Sequence, residues 1–547
     1  MSFKVIFNDT EKVFDKPVKV IDIVGESRDI VCAMVNNSVR ELTYEITKDS
    51  KVTPLTVKDK DAKRTYEASL RFIVAMAMRN LYPNLSIRFS YNVSRSIFMQ
   101  ILTPHTTSNG EMVKELEKEM QRIVDADMPL VRKIVSKEEA AKIFKKEGFQ
   151  DKVDVLKYRP EKTAHIYTCG DYINYMYQRM VPSTGYIRKW KVKFYHPGII
   201  IQYPRFDANG EIPPFEDAPT FGRTLKRAHE WAKVTKADSI VGVNQLIEEL
   251  GPVDFITLCE QRHNRQLCEL GDIIENEIEN IRLICIAGPS SSGKTTFANR
   301  LRIELLSRGI NPIRISLDDY YLEKEKIPLD SDGKIDYEDI KALDVNLFNQ
   351  NMIDLISGME VTLPKFDFKL GHRVVGRTIK VEENQPIIIE GIHALNDMMT
   401  SSIPNHQKFK IFIAPQQQVN IDNHNPLGLT DLRLIRRIVR DYKFRNSDAI
   451  ETLNMWPSVR KGEFKWIYKT QEGANYVFNS LLPYELPVMK KYAMPLLQQI
   501  DVDSDHFPTA ERLIRMLKFF KDLPDEWVPS NSLLREFIGG SCYADVW

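Results

Sequence analysis

The stretch 281–300, IRLICIAGPSSSGKTTFANR, constrains this chain more than any other. Its first seven residues are apolar-rich and read as a buried strand, and a helical stretch follows. Between them lies Gly288-Pro-Ser-Ser-Ser-Gly293-Lys294-Thr295, with the two glycines, lysine and hydroxyl of a phosphate-cradling loop. The spacing has a mechanical reason. Such a loop turns backbone N–H groups inward at a helix N-terminus and makes a nest for an anion. Gly288 and Gly293 permit backbone angles that a side chain would oppose. Lys294 then reaches the β- and γ-phosphates, and the Thr295 hydroxyl holds Mg2+. Ser290, Ser291, Ser292 and Thr296 complete the candidate nucleotide contacts.

At 547 residues the chain is too long for one core, and roughly three or four domains are expected. Its 76 basic and 75 acidic residues give no global pull toward nucleic acid or a membrane. The six cysteines are scattered, with no pair at metal-ligand spacing, which fits a reduced cytosolic compartment. No apolar run approaches a bilayer-spanning length, and residues 1–15 lack a signal-peptide core. A cytoplasmic protein with no membrane partner is the expectation.

Residues 1–60 alternate short β-like runs (3–7, 30–35, 39–46) with turns and read as a small α+β module. Residues 61–205 form a second α+β region, with a helix over 62–85, strands over 86–93 and 96–102, and a helix over 111–126. Ser136 caps a further helix that reaches Lys146. Residues 206–278 read as a helical connector packing the two halves together, with His263, Arg265 and Glu275 at the surface. Residues 279–505 form an α/β domain with a parallel sheet flanked by helices, and 506–547 a tail.

Past the phosphate loop, Ile313-Arg-Ile-Ser316 reads as a strand ending in Leu317-Asp318-Asp319-Tyr-Tyr321. Acidic residues at the carboxyl end of a parallel strand face the ligand crevice. A phosphotransferase acting on an alcohol needs a carboxylate to accept the hydroxyl proton. Taken alone, Asp318-Asp319 also suits a helix cap or turn. Pro386-Ile-Ile-Ile-Glu390 is a second buried strand ending in a carboxylate, suited to a metal-bound water. Arg433, Arg436, Arg437 and Arg440 fall on one helical face, with Arg445 beyond. Such a face is commonly just solvated; in a kinase it serves as a mobile lid over the phosphoryl group.

Together GPSSSGKTT, LDDYY, PKFDF from Pro364, IIIEGIHAL and RRIVRD from Arg436 resemble the uridine kinase and phosphoribulokinase group, over roughly 280–500. The resemblance implies ATP and Mg2+ as cofactors and Asp318 as base and metal-associated residue. Thr295 and Glu390 would complete the Mg2+ site, and Arg437, Arg440 and Arg445 would be lid arginines. Asp336 is similar to the aspartate that holds ribose hydroxyls. Tyr321, Phe366, Phe368 and His372 are the other acceptor-side candidates. Uridine kinases carry a tyrosine where Phe366 stands, and Gly371 takes their histidine position with His372 displaced by one. A lost hydroxyl bears on base recognition, because polar readout carries more specificity than shape.

The segment 167–192, with Val181-Pro-Ser-Thr-Gly185, resembles the editing region of threonyl-tRNA synthetases, and the module before it resembles their ubiquitin-like domain. The chemistry departs. Ala68 and Phe72 stand at the positions of a histidine pair, and Met176 and Met180 at those of a cysteine and a histidine. These side chains neither relay protons at neutral pH nor bind a hard metal. The whole arrangement, including the Ser532-Leu-Leu-Arg-Glu-Phe-Ile tail, resembles bacterial proteins named as nucleoside or uridine kinases. The leading expectation is an ATP-dependent kinase for a hydroxyl of a nucleoside or similar polyol. The alternatives are a kinase for another small alcohol and a nucleotide-switched regulatory protein. RNA or tRNA is a partner not favoured, and a homo-oligomer is compatible with the sequence.

Overall fold

Alternation sets the first sheet: Phe3 and Val5 face inward while Lys4 and Ile6 face out. The computed structural model describes residues 2–544 other than 331, 332, 334, 368, 369, 417 and 418, and not the side chains of Tyr91, Phe221 and Leu429. The sheet runs in the order Thr10–Phe14, Phe3–Phe7, Ser50–Thr56, Ile30–Val35, Ser38–Arg40, with Phe3–Phe7 and Ser50–Thr56 parallel. The strand expected over 39–46 is split. A turn closed by Tyr44 N–H donating to Glu41 O sends Glu45–Ile46 into a separate pairing with Val18–Lys19.

The helix Lys63–Leu81 buries an almost unbroken run from Thr65 to Met78. It shares a core with the sheet Lys191–Tyr195, Gly198–Gln202, Ser96–Ile101, Ile87–Val93. A third sheet, Val131–Ser136, Thr163–Cys169, Tyr172–Asn174, is antiparallel. The Ser136 hydroxyl accepts from Glu139 N–H at 3.1 Å and starts the helix Lys137–Lys146, as the sequence implies. Ala68, Phe72, Met176 and Met180 are all completely interior, and the Phe72 ring lies edge-on to Tyr172 at 5.0 Å. The places that would carry hydrolytic groups are filled with packed apolar side chains.

The second half is organised by a parallel five-stranded sheet in the order Ile313–Ser316, Ile387–Glu390, Leu283–Ala287, Lys408–Ala414, Tyr476–Asn479. Leu283–Ala287 and Ile387–Glu390 are buried at every position, which explains their unbroken apolar runs. The strand from Leu283 lies at the centre, so its carboxyl end opens on a crevice between neighbouring strands.

The segment between the halves holds two helices, Pro219–Val234 and Ile240–Glu277. The second is kinked where Gly251 takes φ +74° ahead of Pro252. Arg265 is exposed as expected, but His263 is not: it is fully buried, with Nε2 3.2 Å from Leu481 O and its ring edge-on to Phe478. The flanking apolar positions Phe255, Ile256, Cys259, Leu267 and Leu270 turn this face of the helix into the core shared with the parallel sheet. A buried ion pair, Lys152 Nζ to Asp422 Oδ1 at 2.7 Å, joins the helix Gln150–Tyr158 to the loop strand Asn420–Asp422. Among the described residues, no helix is long and apolar enough to cross a membrane.

Burial pushes His165, His263 and His424 well below the usual histidine range, so each is neutral in the folded protein. The unfolded chain binds protons at these groups as pH falls through about 6.5, whereas the folded protein does not. Their contribution is therefore fully present above that pH and lost below it, by about 1.4 kcal/mol per pH unit for each histidine. Urea unfolding at pH 7.0, 6.0 and 5.5 should show this as a falling midpoint with an unchanged slope.

Candidate active site

The loop begins where the central strand ends. A Cβ on Gly288 would lie 2.0 Å from Ile413 O of the neighbouring strand, so only glycine lets the two backbones approach. Ser291 (φ +60°) and Gly293 (φ +91°) are left-handed, and this alternation turns the amides inward as a nest. Gly293 then caps the helix Lys294–Leu306. The hydroxyls of Ser291, Ser292 and Thr296 are buried and have no hydrogen-bond partner among the described residues. Orphaned buried hydroxyls are costly unless a ligand satisfies them. Lys294 Nζ folds back on Gly288 O (3.1 Å) and Pro289 O (3.4 Å). These donors fit a polyphosphate.

Two carboxylates stand near the loop. Glu390, at the end of its strand, is buried and accepts from Ser316 Oγ at 3.1 Å; burial and then the neighbouring Asp318 raise its pKa. Burial lowers Lys294, while Glu390 and Asp318 act against that shift. Asp318 sits in the first turn after Ile313–Ser316, its N–H donating to Ser316 Oγ at 3.3 Å, and no hydrogen bond to its carboxylate is seen among the described residues. Its neighbour Asp319 is committed to the Phe366 N–H at 3.2 Å. The pair read from sequence thus divides: Asp319 anchors the hairpin Val361–Asp367 with His372–Ile379, while the Asp318 carboxylate has no donor among the described residues. Two mutually repelling carboxylates near the loop lysine suit Mg2+, which takes one or two carboxylates together with substrate phosphates.

The arginines divide too. Arg433 pairs with Glu463 (Nη2 to Oε2 2.8 Å) and donates to Ser290 O at 3.1 Å. Arg436, fully interior, pairs with Glu485 at 2.6 Å and donates to Ser291 O at 3.2 Å and Ser480 O at 2.9 Å. They pin the helix Leu429–Phe444 onto the loop, so this face is neither solvated nor a free lid. Arg437 reaches Ser290 Oγ at 2.8 Å. Arg437, Arg440 and Arg445 all share one acid, Asp441, at 3.1, 2.8 and 3.8 Å. Three cations on one carboxylate leave a surplus of positive charge; burial and then Arg440 lower Arg437, and Arg440 and then burial lower Arg445. That surplus favours an incoming anion.

On the acceptor side, Tyr321 is buried, donates to Tyr337 O at 3.1 Å and lies 5.8 Å from the Phe366 ring. Asp336 accepts from Glu338 N–H at 3.1 Å and is spent on its own turn. His372 is exposed at the start of its strand, opposite Asp367. Phe368 lies outside the described residues. A residue that sequence reasoning passed over is Glu338, two positions beyond Asp336. Its carboxyl is pushed up to about 7 by burial and then by Glu463, with Arg437 and Lys294 opposing. The presence of a second acid in the stretch Asp336-Tyr-Glu338 was the only local signal.

Residues 283–484 match the family described as phosphoribulokinase / uridine kinase. The match supports a P-loop kinase in this part of the chain. The N-terminal region is similar to threonine–tRNA ligases. The Hahella chejuensis enzyme is 26% identical over 189 residues, 34% of this chain and 30% of that protein. That of Listeria monocytogenes serotype 4a is 31% identical over 216 residues, 38% of this chain and 33% of that protein. The chain thus spans about a third of the length of these relatives. A solved structure described as a possible uridine kinase from Bacillus stearothermophilus is 24% identical, covering 26% of this chain and 80% of that one, with a TM-score of 0.22. That superposition is too loose to bear on the site.

Proposed function

We propose that the parallel-sheet half, over about 279–505, transfers the γ-phosphoryl group of MgATP to a hydroxyl of a nucleoside or closely similar polyol. The observation that carries this reading is the Asp318 carboxylate, without a donor among the described residues while Asp319 is committed, and close enough to Glu390 to raise its pKa. The loop amides and Lys294 hold the triphosphate. Thr295, Asp318 and Glu390 are the groups that would hold Mg2+, which supplies charge neutralisation on the phosphates when bound. Asp318 accepts the proton of the attacking hydroxyl, and Arg437, Arg440 and Arg445 neutralise charge developing on the transferred group. A nucleoside acceptor is supported by the family match, and the aromatic pair Tyr321–Phe366 lies in the buried wall near Asp318. Glu338 is suited to accept from acceptor hydroxyls. The protein acts in the cytoplasm in this reading.

The N-terminal half serves as a non-hydrolytic platform, because its core fills the editing positions with Ala68, Phe72, Met176 and Met180. ADP release measured over a panel of nucleosides and polyols tests the reading: turnover with one class of acceptor is expected, and turnover with none would refute it.

A further inference from the structure

The segment after Pro529 sits in the same loop. The Glu536 Oε2 atom accepts from the Thr296 N–H at 3.1 Å, across 240 positions of sequence. That amide belongs to the first turn of the helix Lys294–Leu306, where N–H groups have no intrahelical partner and the helix dipole favours an anion. Leu533 covers the turn before it: a Cβ built on Gly293 would lie 2.5 Å from both Cγ and Cδ2 of Leu533. Both tail residues are buried. Glu536 is also near enough to Lys294 to raise its pKa against the effect of burial.

Resting on the reading of this loop as a nucleotide site, we propose that the C-terminal segment is an internal competitor of the nucleotide, with the Glu536 carboxylate standing at a phosphate subsite. A carboxylate and a phosphate oxygen ask for the same amide and carry the same sign of charge, so the two exclude each other. The tail is also an incomplete ligand. With it in place, the buried hydroxyls of Ser291, Ser292 and Thr296 have no partner among the described residues, and a polyphosphate offers them acceptors. The tail helix Arg535–Ile538 is a single turn. It is held from outside by Lys443 Nζ on Ile538 O at 2.6 Å, and the chain after it turns through Gly539 (φ +94°) and Gly540 (φ +77°). Upstream, Ser532 is fixed on Glu260 at 2.6 Å and on Tyr484 at 3.0 Å. Displacement must draw Leu533, Leu534, Phe537 and Ile538 out of the core and break the Arg535 bonds to Asp525 O and Val528 O, and the apparent nucleotide affinity is reduced by the fraction of molecules with the tail seated.

The test uses the full chain with MgADP as the probe. Calorimetric titration of the wild type and of Glu536→Gln should show tighter binding by the variant, roughly tenfold or more, since a charged hydrogen bond to the amide is removed from the competitor. Hydrogen exchange on the wild type should show faster exchange over 533–538 when MgADP is added, and this readout stands even where the variant folds poorly. Unchanged or weaker affinity in Glu536→Gln, or unchanged exchange, overturns the proposal and leaves the nucleotide reading intact. Failure of both proteins to bind MgADP overturns that reading, and this proposal with it.

Discussion

Asp318→Asn is expected to reduce turnover by roughly 10²–10⁴-fold, the range that a positioned general base contributes. The substitution is nearly isosteric. Since no described group donates to this carboxylate, the fold loses no hydrogen bond. Thermal melting should therefore stay close to the wild type while kcat collapses. MgADP affinity should fall far less, because the loop amides, Lys294 and the arginines sharing Asp441 remain. The neighbouring Asp319→Asn should behave in the opposite sense. Its carboxylate holds the Phe366 amide and thus the acceptor hairpin, so the main loss belongs in KM for the acceptor. Equal losses of kcat in both variants would contradict the division of roles between the two aspartates.

The largest expected loss of stability follows Arg436→Met. The guanidinium is completely buried and pairs with Glu485, itself buried, while donating to carbonyls of Ser291 and Ser480. Removing one partner of a buried pair leaves the other charge uncompensated, a cost of about 3–5 kcal/mol. That is a large share of the stability of an ordinary domain, and chemical denaturation should read it directly. Because Arg436 also grips the phosphate loop, nucleotide affinity should fall with it. The double change Arg436→Met with Glu485→Leu should recover much of the stability, since no unpaired charge then remains.

What could be read from the residues alone divides along a physical line. The strand, loop and helix around Gly288–Thr296 were legible because a phosphate nest is a local device: glycine, lysine and hydroxyl spacing follow from one turn of backbone. Glu390 and Asp318 were legible because apolar strands ending in acids point to the ligand side of a parallel sheet. The apolar character of the positions matched to editing groups was legible from side-chain type, and Ala68, Phe72, Met176 and Met180 are all buried. Features set by distant partners were not. Helical spacing placed Arg433 and Arg436 with Arg437 and Arg440, but Glu463 and Glu485, which convert the first two into struts, lie 30 and 49 positions away. His263 looked like a surface residue because its charged neighbours are; the core it enters is built from the parallel sheet and from Leu481. The contact of Glu536 with Thr296 had no local signal at all.

In the proposed reaction the ATP held by this loop gives its γ-phosphoryl group to a small alcohol, and following that group tests it most directly. With γ-labelled ATP, Mg2+ and a mixture of nucleosides and polyols, the account predicts label in an acid-stable phosphate monoester of one acceptor, lost in Asp318→Asn. Label that stays in ATP, or appears only as inorganic phosphate, while the protein binds tRNA saturably, would contradict it and identify a nucleotide-switched binding protein instead.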